Sequence, residues 1–581
     1  MHYGSKRQTI IIDIIKMTKV HTSKKAFLVD AFRIIYPYWR SADWRMAWIL
    51  TTVIVALNLG LVYISVKINQ WYNSFYNSLQ QKNFEEFKTL ILFFCGWATL
   101  YIIGAVYRLY LQQMLTIRWR HWLTDGMLKQ WLEEKRFYTI ELGNFGTDNP
   151  DQRIAEDLRI LASATLSLAL GLLSSTTTLV SFFLILWNLS GAFDFTAFGH
   201  AISIPGYMVW AAFIYAFFGS VLTHVIGKRL ITLNFEQQKV EANFRYSLVR
   251  VRENTESIAL LDGETREEVS LKQSFADIIN NWRLIMRYQK RLTWFTAAYG
   301  QAAVIFPLVV AAPRYFSGAI ELGALMQISS AFGRVQDALS WFIDSYGSLT
   351  EWKASVDRLR GFSQACQKAD QLKSDSLERL PRSLSDEVSG SISLSLPDGT
   401  KLQDHLAVRF PKNKDTLVIG KSGRGKSTLF RAISGLWPFV SGSLWIPPKD
   451  NLLFIPQKSY LPIGTLREVC WYPDSVSADK SSNDFLVNIL TEFGLPNLVK
   501  DLDEVADWSK RLSGGEQQRI ALIRAILKQP LWLFMDEATA SLDQATQDLS
   551  LMLLKKYLPN TTIVQIAHHI PAGGGYNVLE V

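Results

Sequence analysis

Three short stretches near the end of the chain carry residue types that could handle phosphate. The first is Gly420-Lys421-Ser422-Gly423-Arg424-Gly425-Lys426-Ser427, with Thr428 opening the helix expected over Thr428–Leu436. Glycines at this spacing let backbone N–H groups turn inward around phosphate oxygens, and the following helix adds its positive end. Lys426 can reach the β- and γ-phosphates of a nucleotide, and Ser427 can hold Mg²⁺. The second is Asp536-Glu537, which closes the apolar run Leu531–Met535. Adjacent carboxylates at a strand end suit a division of labour, with Asp536 on the metal and Glu537 polarising the attacking water as general base. The third is Leu512-Ser513-Gly514-Gly515-Glu516-Gln517-Gln518, a glycine turn opening a helix and so a second anion-binding geometry. One nucleotide does not need two cradles in one domain. A nucleotide shared between two copies does.

The elements that must hold these stretches follow from pattern. Ser391–Leu396 alternates like a strand, Pro397–Gly399 is a turn, and Thr416–Ile419 is a short apolar strand feeding the first glycine loop. Residues 390–581 therefore read as an α/β P-loop NTPase domain. Upstream, 363–390 is polar and Ser-rich, and 351–389 reads as a linker.

The first 350 residues have a different texture. A membrane-crossing helix needs about 20 apolar residues with few charges. Met46–Val66, Thr89–Tyr107, a stretch inside Ile160–Phe193, Pro205–Gly227 and Leu292–Pro313 meet that need. Leu322–Tyr346 is weaker, because Arg334, Asp337 and Asp344 lie in it. It is taken as a sixth span because the soluble domain must return to the side of the N-terminus. The segments 1–45, 108–159 and 228–291 hold 29 Lys and Arg, against 4 in the loops 67–88, 190–204 and 314–321. That asymmetry places the N-terminus and the P-loop domain in the cytoplasm. Residues 46–350 form an all-α six-span domain, and 1–45 precede it as a cytoplasmic segment in which Ala26–Tyr38 is amphipathic enough to lie on the membrane surface. The long inner loops predict that spans two to five continue below the bilayer. The start of the chain does not read as a signal peptide.

Composition agrees. The 581 residues are 49% hydrophobic and 19% charged, and the net charge is +9. The basic balance is a topology signal and not a nucleic-acid footprint. Cys95, Cys366 and Cys470 lie too far apart for a disulfide framework or a zinc site.

The order of motifs resembles the ATP-binding cassette family. Leu512–Gln518 lies between the glycine loop and the acidic strand end. Gln457 in Phe454-Ile455-Pro456-Gln457 looks like the Q-loop, Ser541-Leu542-Asp543 like the D-loop, and His568 like the switch histidine, with His569 leaving its register open by one. The resemblance implies that Gln457 senses Mg²⁺ and the membrane domain. It implies that His568 contacts the γ-phosphate, and that Ser513 and Gly515 complete the site of the opposite subunit. Gly514 and Glu516 belong to the same nucleotide-binding set. Further runs, RAISGLWP at 431–438, IPQKSY at 455–460 and GTLREVCWY at 464–472, are similar to the peroxisomal fatty-acyl-CoA half-transporters, and more so to bacterial SbmA/BacA-like and YddA-type ones. Asn149–Asp157 looks like the first coupling segment and Glu241–Glu264 like the second. One departure stands out. The family often places an aromatic residue just before Pro397 to stack on adenine, and this chain has Leu396.

One chain carries one P-loop and one LSGGE stretch, so the expected working form is a homodimer with twelve spans. The resemblance implies an ATPase with the exporter-type membrane fold, ATP and Mg²⁺ as its nucleotide and metal, and residence in the bacterial inner membrane among lipid. Its cargo would be an amphipathic small molecule or peptide, such as an acyl-CoA, a lipid or a corrinoid, moved in either direction. Candidate path residues are the ionisable ones in or beside spans: Arg108, His224, Arg314, Glu321, Arg334, Asp337 and Asp344. The alternative is an ATP-gated channel or regulatory membrane receptor on the same architecture.

Overall fold

The computed structural model describes residues 24–143, 149–197, 200–374, 377–381, 387–421, 423–476, 480–566 and 576–581. Ser422, His568 and His569 lie outside these. The chain divides into two units, residues 1–128 with 149–362, and residues 129–148 with 363–581.

The first unit is built of helices. They are α1 (Lys24–Ile35), α2 (Trp44–Gln80), α3 (Phe84–Leu132), α5 (Leu158–Ser190), α6 (Tyr207–Glu253), α7 (Thr255–Leu260), α8 (Glu264–Phe316) and α9 (Leu322–Asp344). Between α3 and α5 in sequence, α4 (Arg136–Gly143) belongs to the second unit, and α10 (Tyr346–Ser374) carries the chain across to it. Among the described residues, the helices through 44–80, 84–143, 150–190, 207–253 and 264–316 are long and apolar enough to cross a membrane, and α9 is not one of them. At 1.5 Å per residue, the 49 residues of α3 run about 74 Å, well over twice an apolar core of about 30 Å. The long helical extensions expected from the inner loops are therefore present.

α9 sits at the centre of this unit despite its charges. Ile328, Ala331, Phe332 and Val335 are fully buried, packed with Phe182 and Leu186 of α5, Met208 and Ala212 of α6, and Ala311 of α8. The spacing i, i+3, i+4, i+7 puts those four on one face.

Polar side chains fasten particular helix pairs. α6 and α8 are joined by a reciprocal lock, in which the Tyr215 hydroxyl donates to the Tyr299 carbonyl (2.6 Å) and the Tyr299 hydroxyl to the Tyr215 carbonyl (3.0 Å). Lower on the same pair, the Asn281 amide donates to Gln237 (2.9 Å) and to the Leu233 carbonyl (3.0 Å). α2 is joined to the start of α9 by a ladder of amides. Asn69 and Gln327 exchange bonds, Asn73 donates to Gln327 (2.7 Å), and Asn77 donates to Asn73 (3.0 Å). Asn77 and Gln80 accept from the backbone N–H groups of Gly323 (2.7 Å) and Leu322 (3.0 Å). The first turn of α9 is thus capped by another helix. Gly323 permits the approach, since a Cβ there would stand 2.0 Å from the Asn73 carbonyl oxygen.

Four features can be set beside the sequence reading, of which the first and the last differ from it. Residues 67–80, taken as an outer loop, extend α2, because the amides that end the apolar run keep helical spacing toward α9. The third apolar run stops at Ser190, where the Arg314 guanidinium bonds the carbonyls of Leu189 and Ser190, the cation at a helix C-terminus that the dipole favours. Gly191 (φ 61°) turns the chain into a hairpin, β1 (Ala192–Ala197) pairing antiparallel with β2 (His200–Pro205). Asn149–Asp157 lies in the first unit, where Asp157 is buried against Arg153 and Arg358; the stretch grouped with the second unit is 129–148. The expected linker is helical through Ser374, because Val356, Leu359, Phe362, Ala365, Cys366 and Ala369 make a buried stripe at helical spacing.

The second unit stacks two sheets with helices. β3 (Glu378–Pro381), β4 (Glu387–Ser395), β5 (Lys401–Pro411) and β7 (Val440–Ile446) form one sheet in the order β3-β7-β4-β5. β6 (Thr416–Ile419), β8 (Leu452–Ile455), β11 (Trp532–Asp536), β12 (Thr562–Ile566) and β13 (Asn577–Glu580) form a parallel sheet in the order β13-β6-β12-β11-β8. β9 (Gly464–Thr465) and β10 (Val505–Ala506) are a small antiparallel pair. Val388, Ile392 and Phe410 from the first sheet meet Val418, Phe534 and Val564 from the second in one core. A second core joins α12 (Leu466–Trp471), α13 (Lys480–Glu492), α14 (Gly514–Lys528) and α15 (Gln544–Tyr557). Arg136 of α4 pairs with Asp370 at 2.7 Å, and Leu142 packs on the two-sheet core. Cys366 and Cys470 are buried and Cys95 is exposed, all as free thiols.

Candidate functional site

The parallel sheet determines which residues can meet. β8 and β11 are neighbours in register, Ile455 opposite Met535, so the chain leaves both strands at the same edge. Two residues beyond each of these lie Gln457 and Glu537. The Gln457 amide donates to the Glu537 carboxylate at 2.9 Å. Glu537 has φ of 50°, a left-handed backbone that a non-glycine residue adopts only when its surroundings impose it. That conformation directs the carboxylate away from the strand it follows. It had no signal in the sequence.

The glycine loop leaves β6 and enters α11 (Lys426–Ser434). Gly423 (φ 82°) and Gly425 (φ 100°) both have left-handed backbones, which open the loop into a cradle at the helix start. Lys426 is buried, and its ammonium donates to the loop carbonyls of Gly420 (2.7 Å) and Lys421 (3.2 Å). The charge therefore sits inside the concavity the loop makes. The Ser427 hydroxyl donates to the Asp536 carboxylate at 2.9 Å. Burial holds the Asp536 carboxyl above the usual carboxylate range, opposed by the Ser427 bond and reinforced by the neighbouring Glu537. A desolvated carboxylate beside a hydroxyl is a pair of hard oxygen donors that suits Mg²⁺. Among the described residues no group of three His, Cys, Asp or Glu could hold a metal. Thr428 lies in the first turn of α11, and Arg424 is exposed at the lip, its carbonyl accepting from Gln403 (3.2 Å).

Leu396 packs with the core between the sheets, and Leu402 stands beside Gly425. The wall next to the loop is aliphatic on that side.

The third stretch is satisfied within itself. Ser513 caps α14, its hydroxyl accepting from the Glu516 N–H while the Glu516 carboxylate accepts from the Ser513 N–H (2.8 Å). The S-x-x-E spacing that makes this capping box is visible in the sequence. Ser513 and Gly514 are exposed, and behind them Gly514 and Gly515 lie against Ser541 and Leu542. Gln518, buried, accepts from the Ser541 N–H at 2.9 Å and fixes that turn to α14. The structure thus brings together Ser427 with Asp536, Gln457 with Glu537, and Ser513 with Glu516.

A groove of about 830 Å³ opens beside the Gln457 loop, lined by Trp131, Phe137, Tyr138, Tyr460, Trp471 and Arg524 among others. Ser459 Oγ, the indole nitrogens of Trp131 and Trp471, and one Arg524 guanidinium nitrogen are buried there without a hydrogen-bond partner. The sequence reading quoted Leu436, Trp471 and Tyr472 only within longer runs, and it did not read a groove there.

Residues 32–316 match the family described as ABC transporter transmembrane region 2, and residues 403–540 the family described as ABC transporter. The chain is 34% identical over 538 residues to the inner membrane ABC transporter ATP-binding protein YddA of Escherichia coli K12, covering 92% of this chain and 94% of that one. It is 25% identical to the human lysosomal cobalamin transporter ABCD4 over 89% of this chain and 88% of that one. Its fold is similar to the structure of a bacterial Atm1-family ABC exporter with ATP bound, with a TM-score of 0.67 at 15% identity and 91% of each chain covered.

Proposed function

The chain belongs to the ABC transporter family, with the transmembrane region and the ATP-binding domain fused in one polypeptide, and from that premise we propose that two copies couple ATP hydrolysis to the movement of an amphipathic cargo across a bacterial inner membrane. The observation that carries this reading is the split in the nucleotide machinery. One part, Lys426, Ser427, Asp536, Glu537 and Gln457, is bonded together around the glycine cradle, while the Ser513–Glu516 turn is exposed and capped on itself. A second copy supplies the turn that faces each cradle.

In this mechanism the loop N–H groups of Gly420–Gly425 and the ammonium of Lys426 hold the phosphates of ATP. Ser427 and Asp536 would hold Mg²⁺, with Gln457 bonded to Glu537 beside them. When bound, the metal withdraws charge from the β- and γ-phosphoryl oxygens. Glu537 accepts a proton from the attacking water, and the Gln457 amide fixes the carboxylate that accepts it. Ser513 and Gly515 of the second copy close the cradle, so closure and hydrolysis require both chains. His568 contributes at the γ-phosphate by resemblance.

Transmission uses the groove beside Gln457. α7 ends at Leu260, and Leu260 and the following Leu261 are 77% and 81% exposed at the tip of a short helix between two long ones. Opening and closing of the ATP-binding domains then shifts the membrane helices between two access states.

The relatives frame the cargo. One carries cobalamin by its name. ATP turnover in lipid nanodiscs, with a panel of acyl-CoAs, cobalamin and proline-rich peptides and with E537Q as blank, tests the reading. Saturable stimulation by one class supports a coupled transporter. Folded wild-type protein with no turnover above the blank supports the gated-channel alternative instead.

A further inference from the structure

α9 inverts the pattern of the other long helices. Of the twenty residues from Leu322 to Trp341, only Arg334 and Asp337 are exposed. On α3 the exposed positions include Leu92, Phe93, Leu100 and Ile102, as a lipid-facing helix requires. Arg334 lies twelve residues along α9, about 18 Å from its start, which is near the middle of an apolar core of about 30 Å when α9 crosses the bilayer as the sixth span of the proposed transporter. The two charges stand one turn apart, and Gly333 beside them has open space where a side chain would be. Among the described residues neither forms an ion pair with any other.

Charged groups at that depth do not face hydrocarbon. The face behind them is closed by Ile328, Ala331, Phe332 and Val335. Arg334 and Asp337 attract each other along the helix without closing an ion pair, so both keep bonding capacity for a charge from outside the chain. Resting on the homodimer reading above, we infer that Arg334 and Asp337 form a ring of four charges with the same two residues of a second copy, each arginine pairing with the aspartate of the other chain.

The symmetry makes the pair self-complementary. A two-fold axis along the membrane normal sets the two α9 helices parallel, with like residues at equal height. Arg334 of one copy is then displaced from Asp337 of the other by about 4.5 Å along the axis, within the reach of an arginine side chain. Two arginines and two aspartates cancel. An i, i+3 pair closed within one helix would leave nothing to hold the copies in register. Two diagonal pairs do so, and they neutralise at a depth where unpaired charges are costly.

Charge exchange tests this. R334D, D337R and the double exchange R334D/D337R are compared with wild type in two measurements, the dimer mass in detergent by light scattering over a dilution series and ATP turnover in nanodiscs. Each single reversal puts four like charges at the axis, and the dimer should dissociate at concentrations at least tenfold higher. The double exchange inverts the ring and should return dimer stability and turnover to within about threefold of wild type. R334Q and D337N, which remove a charge without reversing it, serve if a reversal does not fold, and should each weaken the dimer less than the reversals do. A double exchange as impaired as its worse parent would overturn the ring and assign the strip to the cargo path. Single variants with wild-type dimers would overturn it as well. A monomeric wild type, by contrast, removes the homodimer reading itself, and the ring falls with it.

Discussion

The glycine loop and the Ser513 turn are both glycine-rich entries to a helix, yet they are finished differently. At the first, the polar groups point at one another across elements, with Lys426 on Gly420, Ser427 on Asp536 and Gln457 on Glu537. At the second, Ser513 and Glu516 bond each other within four residues and leave the turn exposed. The first is a site with its chemistry gathered. The second is a rigid surface shape, held by its own cap and by Gln518 beneath. Anion-binding geometry alone therefore does not tell a reaction centre from a docking surface; the origin of the hydrogen-bond partners does.

The difference can be attacked at several points. The largest effect is expected at Glu537. E537Q keeps the shape and removes the base, so turnover should fall about 10²- to 10⁴-fold while ATP binding, read by a fluorescent analogue, persists. Normal hydrolysis by E537Q would mean that the proton goes elsewhere. Next, a copy disabled in the first region (K426A) can be mixed with one disabled in the second (G515E). If the two regions serve opposite chains, half of randomly mixed dimers keep one intact site, and turnover should recover to about a quarter of wild type. No recovery would return both regions to a single chain. A smaller effect follows from the cap itself. S513A removes the acceptor at the start of α14 and should cost about 1 kcal/mol, seen as a lower thermal midpoint, whereas S513T keeps the oxygen and the midpoint.

The smallest effect concerns Asp536. Its carboxyl is raised mainly by burial, so the native state holds that proton more tightly than the unfolded chain does. Its contribution to stability is therefore full below the ordinary carboxylate range and is lost as pH rises through the raised one. In chelator, wild-type protein should lose part of its thermal stability over that window, and D536N should show a flatter profile. An identical pH profile for D536N would mean that the carboxylate is not under strain.

Legibility in the sequence tracked locality. The glycine loop with its strand and helix, the capping box at Ser513 and the acidic strand end are contained in a few residues each, and their residue types dictate their geometry. The Gln457–Glu537 bond depends on β8 lying next to β11, 80 positions apart in sequence, which no spacing encodes. The left-handed Glu537 is imposed by its surroundings. In the membrane region the apolar runs located five helices, but the runs end where polar side chains begin, and a helix does not. Asn69, Asn73 and Asn77 keep a four-residue spacing past the end of the apolar stretch, a signal that composition alone hides. The helical stripe Val356 to Ala369 is hidden in the same way by the serines and lysines around it.

The amide ladder between α2 and α9 bears on how the chain is made. Among the described residues α9 is not one of the helices apolar enough to cross a membrane, and its first two N–H groups are satisfied by Asn77 and Gln80. During synthesis α2 emerges hundreds of residues earlier, carrying the side-chain amides of Asn69, Asn73, Asn77 and Gln80 whose bonds to α9 wait until α9 arrives. The first helix thus acts as a receptor for the last, and the last reaches its place by being received more than by its own affinity for lipid. Removing the ladder would then show first as chains that fail to complete their topology, ahead of any loss in the finished protein.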